Sequence, residues 1–184
     1  MLKLYYSPGA CSQAVHIALH EAGIEHHSER VDLRAKRTAG GADYWAINPK
    51  GAVPALDLGD GQILTENAAI LQFIGDLAGD EALFPPVGDL RRYRLLEWLN
   101  FIATELHKGF GPLWNPDSSE DAKQGAREML SKRFDFAERQ LGDKPFAMGE
   151  SFTLPDAYLF VMLGWTGMHG IDLARWPALA AYRR

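Results

Sequence analysis

Leu2 to Tyr6 open the chain as a short apolar stretch with the look of a buried strand, and Ser7-Pro8-Gly9 stops it. From Cys11 onward, Ala14, Val15, Ala18, Leu19 and Ala22 recur at helical spacing, with Gly23 as the stop. Ser28 to Leu33 follows as a second strand, Val31 and Leu33 on one face. A strand, a helix and a strand in this order imply a parallel pair joined by a right-handed crossover. Past Asn48-Pro49-Lys50-Gly51, the stretches Val53–Leu58 and Gln62–Thr65 flank Gly59-Asp60-Gly61 in the pattern of a hairpin, and a helix runs from about 66 to 78. The order βαβ then ββα fits an α/β N-terminal domain over residues 1–78, a mixed four-stranded sheet with helices on its faces.

Residues 79–88 contain Pro85-Pro86 and little periodicity, so they read as a linker. Everything over 89–184 reads as all-α. The stretch 89–114 carries a stripe at Leu95, Leu99, Ile102 and Leu106, and 119–141 carries Ala126, Leu130, Phe134 and Ala137. Pro155 to Gly164 is apolar almost all round, which marks a central buried helix. Trp176-Pro177 begins a last helix that runs to the final residue, so we expect the helical domain to be incomplete at its C-terminus.

Composition narrows the function classes. Hydrophobic residues make up 47% and charged ones 23%, the balance of a globular protein with a real core. A net charge of −5 with scattered Lys and Arg offers no clustered positive surface, which argues against nucleic acid as partner. No apolar run approaches the roughly 20 residues that cross a bilayer, and the N-terminus lacks a signal-peptide pattern, so we expect no membrane and a cytoplasmic address. One cysteine permits neither an internal disulfide nor a dithiol redox cycle. The 6 histidines show no metal-ligand spacing with carboxylates or with the cysteine, so no metal is expected, and no nucleotide cofactor.

Candidate chemistry lies at four places. Cys11 sits where a strand end meets a helix start; unpaired N–H groups and the helix dipole there favour a thiolate, while the alternative is a small buried apolar residue. Val53-Pro54 opens a strand, and with a cis bond Val53 offers its N–H and C=O to an extended peptide ligand; trans is the more common state. Thr65-Glu66-Asn67 opens a helix whose N–H groups suit a carboxylate while Glu66 suits an ammonium; ordinary capping is the alternative. On the long helix, Asn100, Thr104 and His107 fall at i, i+4 and i+7, either a cleft face or a solvent face. Thr153 and Asp156 form a capping box for the buried helix, a structural role.

Together these motifs resemble the beta-class bacterial glutathione S-transferases along essentially the whole chain. The carrying stretches are Leu4-Tyr5-Tyr6-Ser7-Pro8-Gly9-Ala10-Cys11-Ser12, Ile47-Asn48-Pro49-Lys50-Gly51-Ala52-Val53-Pro54-Ala55-Leu56 and Leu64-Thr65-Glu66-Asn67. The helical part adds Leu99 to Phe110 and Phe152 to Tyr158. The resemblance implies a thioredoxin-like first domain, glutathione as substrate, small hydrophobic electrophiles as its partners in the reaction, a role in detoxification, and a homodimer. It puts Cys11 beside the glutathione sulfur, Val53 against its cysteinyl backbone before a cis Pro54, Glu66 and Asn67 at the γ-glutamyl end, and Lys36 at the glycine end. Asn67 departs from the serine or glycine often found there. His107 and Thr104, with neighbouring Lys108, would serve the same ligand, and Asn100 would reach the glutathione of the other subunit.

Conjugation needs a glutathione thiolate. Cys11 as a protonated donor, the Ser12 hydroxyl, His107 as proton acceptor and Tyr6 as runner-up are the candidate activating groups. Phe110, Trp114 and Trp165 are candidates for an apolar electrophile pocket, although aromatic residues on helices more often build a core. Two alternatives stay open: a glutaredoxin-like monothiol oxidoreductase working through Cys11, and a non-catalytic glutathione or ligand-binding module.

Overall fold

A computed structural model describes residues 1–184, which form two units, Met1–Pro86 and Val87–Arg184. The first begins with β1 (Leu2–Tyr6), α1 (Gln13–Glu21) and β2 (His26–Asp32), β1 and β2 parallel with Leu2 opposite His26. Ala14, Val15, Ala18 and Leu19 form the buried stripe of α1, the residues whose spacing predicts that helix. Strand β2 starts two residues ahead of Ser28 because His26 and His27 pair with Leu2 and Lys3. Backbone pairing sets that end, and side-chain alternation does not report it.

The sheet has five strands and not the expected four. The Asp32 carboxylate accepts from the N–H groups of Arg34 and Ala35, 2.9 Å each, which turns the chain back on itself. β3 (Arg37–Thr38) then pairs antiparallel with Val31 and Asp32. Residues 34–38 carry no alternation, so periodicity cannot reveal this edge. A short α2 (Tyr44–Ile47) follows, its first N–H groups met by the Asp43 carboxylate at 3.1 Å from Trp45 N. β4 (Ala55–Asp57) and β5 (Ile63–Thr65) form the expected hairpin, and β4 also pairs antiparallel with β1. Across the mixed sheet the order is β3-β2-β1-β4-β5. Tyr5, Val31, Tyr44, Val53 and Ala55 pack into one buried cluster beside the β1–α1 turn.

α3 (Asn67–Ala78) completes the first unit together with most of the segment read as a linker. Phe84 is 4% exposed and lies over Gly75 of α3, where an added Cβ would come within 2.5 Å of the Phe84 Cβ. An aromatic residue that can be buried overrides the Pro-Pro punctuation beside it.

The second unit opens with α4 (Leu90–Phe101), capped by Asp89, whose carboxylate accepts from Arg91 N at 2.8 Å. The single helix expected to reach Trp114 is broken: residues 102–107 are π-helical, 108–110 form a 3₁₀ turn, and α5 (Gly111–Trp114) ends it. Gly109 lets this stretch approach α6 (Glu120–Leu141); a Cβ there would meet Met129 and Leu130 at 2.8 Å. α7 (Leu154–Thr166) is buried on nearly every side, and α8 (Pro177–Tyr182) is the last helix. The Asp156 carboxylate ties three segments together. It accepts from Thr153 N at 2.8 Å, Thr153 Oγ1 at 2.7 Å, Ala147 N at 2.7 Å and the Tyr182 hydroxyl at 2.8 Å. No helix is long and apolar enough to cross a membrane.

Two glycine-to-alanine substitutions separate packing from helix propensity. Gly125 lies inside α6 with nothing within 4 Å of an added Cβ, so Gly125→Ala should stabilise by about 0.5–1 kcal/mol. Gly75→Ala gains the same propensity but drives a Cβ into Phe84, and we expect a net loss of about 1–3 kcal/mol. Urea unfolding followed by circular dichroism reads both; equal signs would refute the Gly75–Phe84 contact.

Candidate functional site

One hydroxyl closes the turn between β1 and α1. Ser12 is fully buried; its Oγ donates to Ser7 C=O at 3.3 Å and accepts from Ser7 N–H at 3.2 Å. The single hydroxyl proton is thereby used within the turn, so Ser12 braces the loop and has none to offer a ligand sulfur. Its neighbour Cys11 is 8% exposed, and the thiol donates to Val53 C=O at 3.2 Å. The helix-start position predicts a lowered pKa, and the structure gives the reverse. Burial strips the water that would solvate a thiolate and pushes the thiol up to about 11 from 9.0. The Asn67 amide and the N–H groups of Cys11 and Ser12 pull it down by less, and the Glu66 charge adds to the rise. At pH 7 roughly one such thiol in 10⁴ is ionised.

The Val53–Pro54 bond is cis. Val53 C=O receives the Cys11 thiol, and no hydrogen bond within the chain uses the Val53 N–H. Asn67, 6% exposed, donates its amide N–H to Cys11 C=O at 3.2 Å, while its Oδ1 is buried without a partner. The Asn67 amide thus points a donor at Cys11 and leaves an acceptor unmet. Such an acceptor costs about 1–3 kcal/mol until a ligand donor reaches it.

Two residues other than glycine have positive φ, Lys36 at 54° and Glu66 at 74°, and both are candidate binding residues. Glu66 immediately precedes α3, whose N-terminus no side chain caps. Its exposed carboxylate pairs with Lys50 Nζ, which also donates to Thr65 Oγ1 at 3.0 Å. Lys50 is a functional candidate that sequence reasoning passes over; its place in the Asn48-Pro49-Lys50-Gly51 turn is the one available signal. Lys36 Nζ donates to Gly51 C=O at 2.7 Å and lies 5.3 Å from the Trp45 ring centre, beside the segment leading to Val53. Tyr6 takes the opposite face of β1 from Tyr5. Its ring neighbour is His16 at 5.5 Å, and no hydrogen bond links it to Cys11 or Ser12.

In the second unit, Asn100 and Thr104 are exposed and turn back onto their own helix. Asn100 Nδ2 donates to Leu96 C=O and Thr104 Oγ1 to Asn100 C=O, each at 2.9 Å. His107 ends the π-helical stretch, so the α-helical spacing that groups it with Asn100 and Thr104 lapses after Phe101. Its half-buried ring is hydrogen-bonded through Nδ1 to the Tyr158 hydroxyl and stands edge-on to Trp165 at 5.2 Å. Lys108 is exposed. Phe110 is fully buried against Phe134 and Trp165, which makes it core and not a pocket wall. Trp165 is 5% exposed; Trp114, at 46%, keeps a free face and packs edge-on to Trp165 and His169. His169 completes this aromatic group without any periodic signal in the sequence.

A family model described as glutathione S-transferase, N-terminal domain, matches residues 8–77, and one described as glutathione S-transferase, C-terminal domain, matches residues 120–184. The chain is 46% identical over 181 residues to glutathione S-transferase GstA of Escherichia coli O157:H7, covering 98% of this chain and 90% of that one. Among solved structures, a sphingomonad glutathione S-transferase complexed with glutathione is 45% identical, with a TM-score of 0.94 over 98% of this chain and 90% of that one. A bacterial beta-class glutathione S-transferase of Sphingomonas chungbukensis is 46% identical, with a TM-score of 0.93 over the same shares.

The buried thiol has a pH signature. Only the thiolate alkylates, so with a pKa of about 11 the rate of Cys11 modification by iodoacetamide should climb about tenfold per pH unit from 7 to 10 without levelling. Near neutral pH it should run about a hundredfold slower than a cysteine peptide titrating near 9.0. A plateau below pH 9 would mean the helix-start donors outweigh burial.

Proposed function

The chain belongs to the glutathione S-transferase family, and from that premise we propose that it conjugates the glutathione thiolate to small apolar electrophiles, with Cys11 as a neutral neighbour of the reacting sulfur. The observation that carries this reading is the buried, protonated Cys11 held to Val53 C=O. A free thiol such as glutathione's titrates near 8.5, well before Cys11 does. Bound beside Cys11, it therefore meets a hydrogen-bond donor and not a second anion. A small rotation about the Cys11 side chain would move its S–H from Val53 C=O to that sulfur. Monothiol disulfide exchange needs Cys11 itself as the thiolate, and its ionised fraction at neutral pH disfavours that route.

The remaining assignments follow from ligand chemistry. The unused Val53 N–H and its C=O suit the backbone of an extended peptide. The uncapped start of α3 suits the γ-glutamyl carboxylate. Glu66, together with the unmet Asn67 Oδ1, suits the γ-glutamyl ammonium, which would take the place of Lys50 at Glu66. Lys36 is assigned to the glycine carboxylate. In the second unit, His107 is our candidate proton acceptor, with Asn100, Thr104 and Lys108 as supporting polar residues and Trp114 as the apolar surface for the electrophile. Tyr6 and Ser12 keep no catalytic role in this proposal.

A homodimer and a cytoplasmic address belong to the same proposal. Leu90 and Tyr93, in the first turn of α4, are 66% and 51% exposed, apolar side chains that a second copy would cover. Sedimentation equilibrium should return twice the 20.4 kDa chain mass; a monomer would remove the dimer from the proposal.

The deciding assay compares wild type with Cys11→Ala, using glutathione with an aryl halide and, separately, with a disulfide substrate. We expect Cys11→Ala to keep conjugation within about tenfold, roughly 1.4 kcal/mol in the barrier, and wild-type disulfide exchange to be the slower activity. Disulfide exchange in wild type, with conjugation by neither protein, would replace the transferase by a thiol-disulfide oxidoreductase. Absence of both activities in wild type would leave a binding module.

A further inference from the structure

Three of the 6 histidines meet on the first unit, away from Cys11 and its partners. His16 and His20 stand one turn apart on α1, and His26 is the first residue of β2. Their ring centres are 5.1 Å apart for His16–His20, 5.4 Å for His16–His26 and 5.2 Å for His20–His26. One ring nitrogen from each lies within 4.8 Å of the other two. Scanning the sequence for histidines beside carboxylates or the cysteine misses this set, because its ligands are all imidazole and the third comes from a different element.

From this geometry we propose that His16, His20 and His26 form a binding site for a divalent transition-metal ion of the zinc, nickel or cobalt type. Two histidines at i and i+4 on a helix with a third from a neighbouring element is a donor set suited to such ions, and three imidazoles leave a coordination position for water. Zinc–nitrogen bonds of about 2.0–2.1 Å set ligand nitrogens about 3.3 Å apart in a tetrahedron, so the rings need close by no more than about 1.5 Å.

Polar neighbours fix two of the three rings. His26 Nδ1 lies 2.9 Å from Ile24 C=O. A carbonyl only accepts, so Nδ1 carries the proton and Nε2 keeps its lone pair for a metal. Ser28 Oγ lies 3.3 Å from His16 Nε2 and orients that ring. A groove of about 460 Å³ bordered by Leu19, His20, Glu25 and His26 opens beside the cluster and leaves room for the metal's water. The ion would clamp the end of α1 to the start of β2 across the Ala22–Glu25 turn.

The test uses untagged full-length protein and zinc chloride. Isothermal titration should give one ion per chain, and His20→Gln and His16→Ala should each weaken it by at least about tenfold. His27→Ala, on the other face of β2, should bind as wild type. Zinc should raise the melting temperature of wild type and not of His20→Gln, which alters an exposed side chain and serves as the readout should His16→Ala fail to fold. Cobalt(II) in the same site should show the intense visible bands of four- or five-coordination. The proposal is overturned by the absence of stoichiometric binding tighter than about 100 μM, or by variants that bind zinc as wild type does; the latter would move the ion to another histidine.

Discussion

The hydrogen bond from the Cys11 thiol to Val53 C=O is the contact on which the candidate site turns. Making it puts a cysteine under protein rather than water, and burial then keeps the thiol protonated. The shift from 9.0 to about 11 corresponds to roughly 2.7 kcal/mol against the thiolate. A charge at a helix terminus is worth about 0.3–1 kcal/mol when exposed and up to ~2 when partly buried. The dipole therefore loses at this position, although the turn and the helix start are where sequence logic puts them. A site built to ionise Cys11 would need water or a cation at the sulfur. The neighbours present are instead an amide, two backbone N–H groups and the Glu66 carboxylate.

Much of this arrangement is legible before folding is considered. The β1 and α1 stretches, the hairpin around Gly59-Asp60-Gly61 and the buried α7 follow from apolar spacing and turn residues, because packing rewards those patterns directly. The first-unit candidates Cys11, Val53, Glu66 and Asn67 are legible for the same reason: they sit at turns, strand starts and helix starts, whereas Asn100, Thr104 and His107 lie in the second unit. What sequence pattern cannot give is set by contacts between distant segments. β3 depends on the Asp32 carboxylate turning the chain, Phe84 on the gap above Gly75, and the π-helical stretch before His107 on how closely Gly109 approaches α6. Ser12 illustrates the limit at the level of one atom: its position suits catalysis, but its proton is bonded to Ser7.

The second unit rests on a different kind of buried group. Asp156 is 2% exposed, and burial holds its carboxyl above the usual carboxylate range, offset in part by four donors from the 147 segment, the start of α7 and Tyr182 at the end of α8. The capping box explains one of those four, Thr153 N–H, and the Thr153 hydroxyl supplies a second. The other two are long-range, which makes a single carboxylate the joint between helices that share little sequence proximity. Burial raises the pKa of both Asp156 and Cys11; Asp156 meets it with four donors, and Cys11 with its own proton given to Val53 C=O.

Lys36 and Glu66 place backbone strain where a ligand is proposed to bind. Each left-handed non-glycine residue costs of the order of 1–3 kcal/mol, and such residues persist only where their surroundings fix them. Glu66 is then held at the mouth of an uncapped helix, its carboxylate partnered only from the solvent side by Lys50. That pair is weak for a physical reason: its side chains are 55% and 68% exposed, and ion pairs so exposed are worth about 0–1 kcal/mol. A ligand ammonium reaching Glu66 therefore has little to displace, while the backbone that aims the carboxylate stays fixed. The strain lies in the part that must not move, and the cheap interaction lies in the part that must.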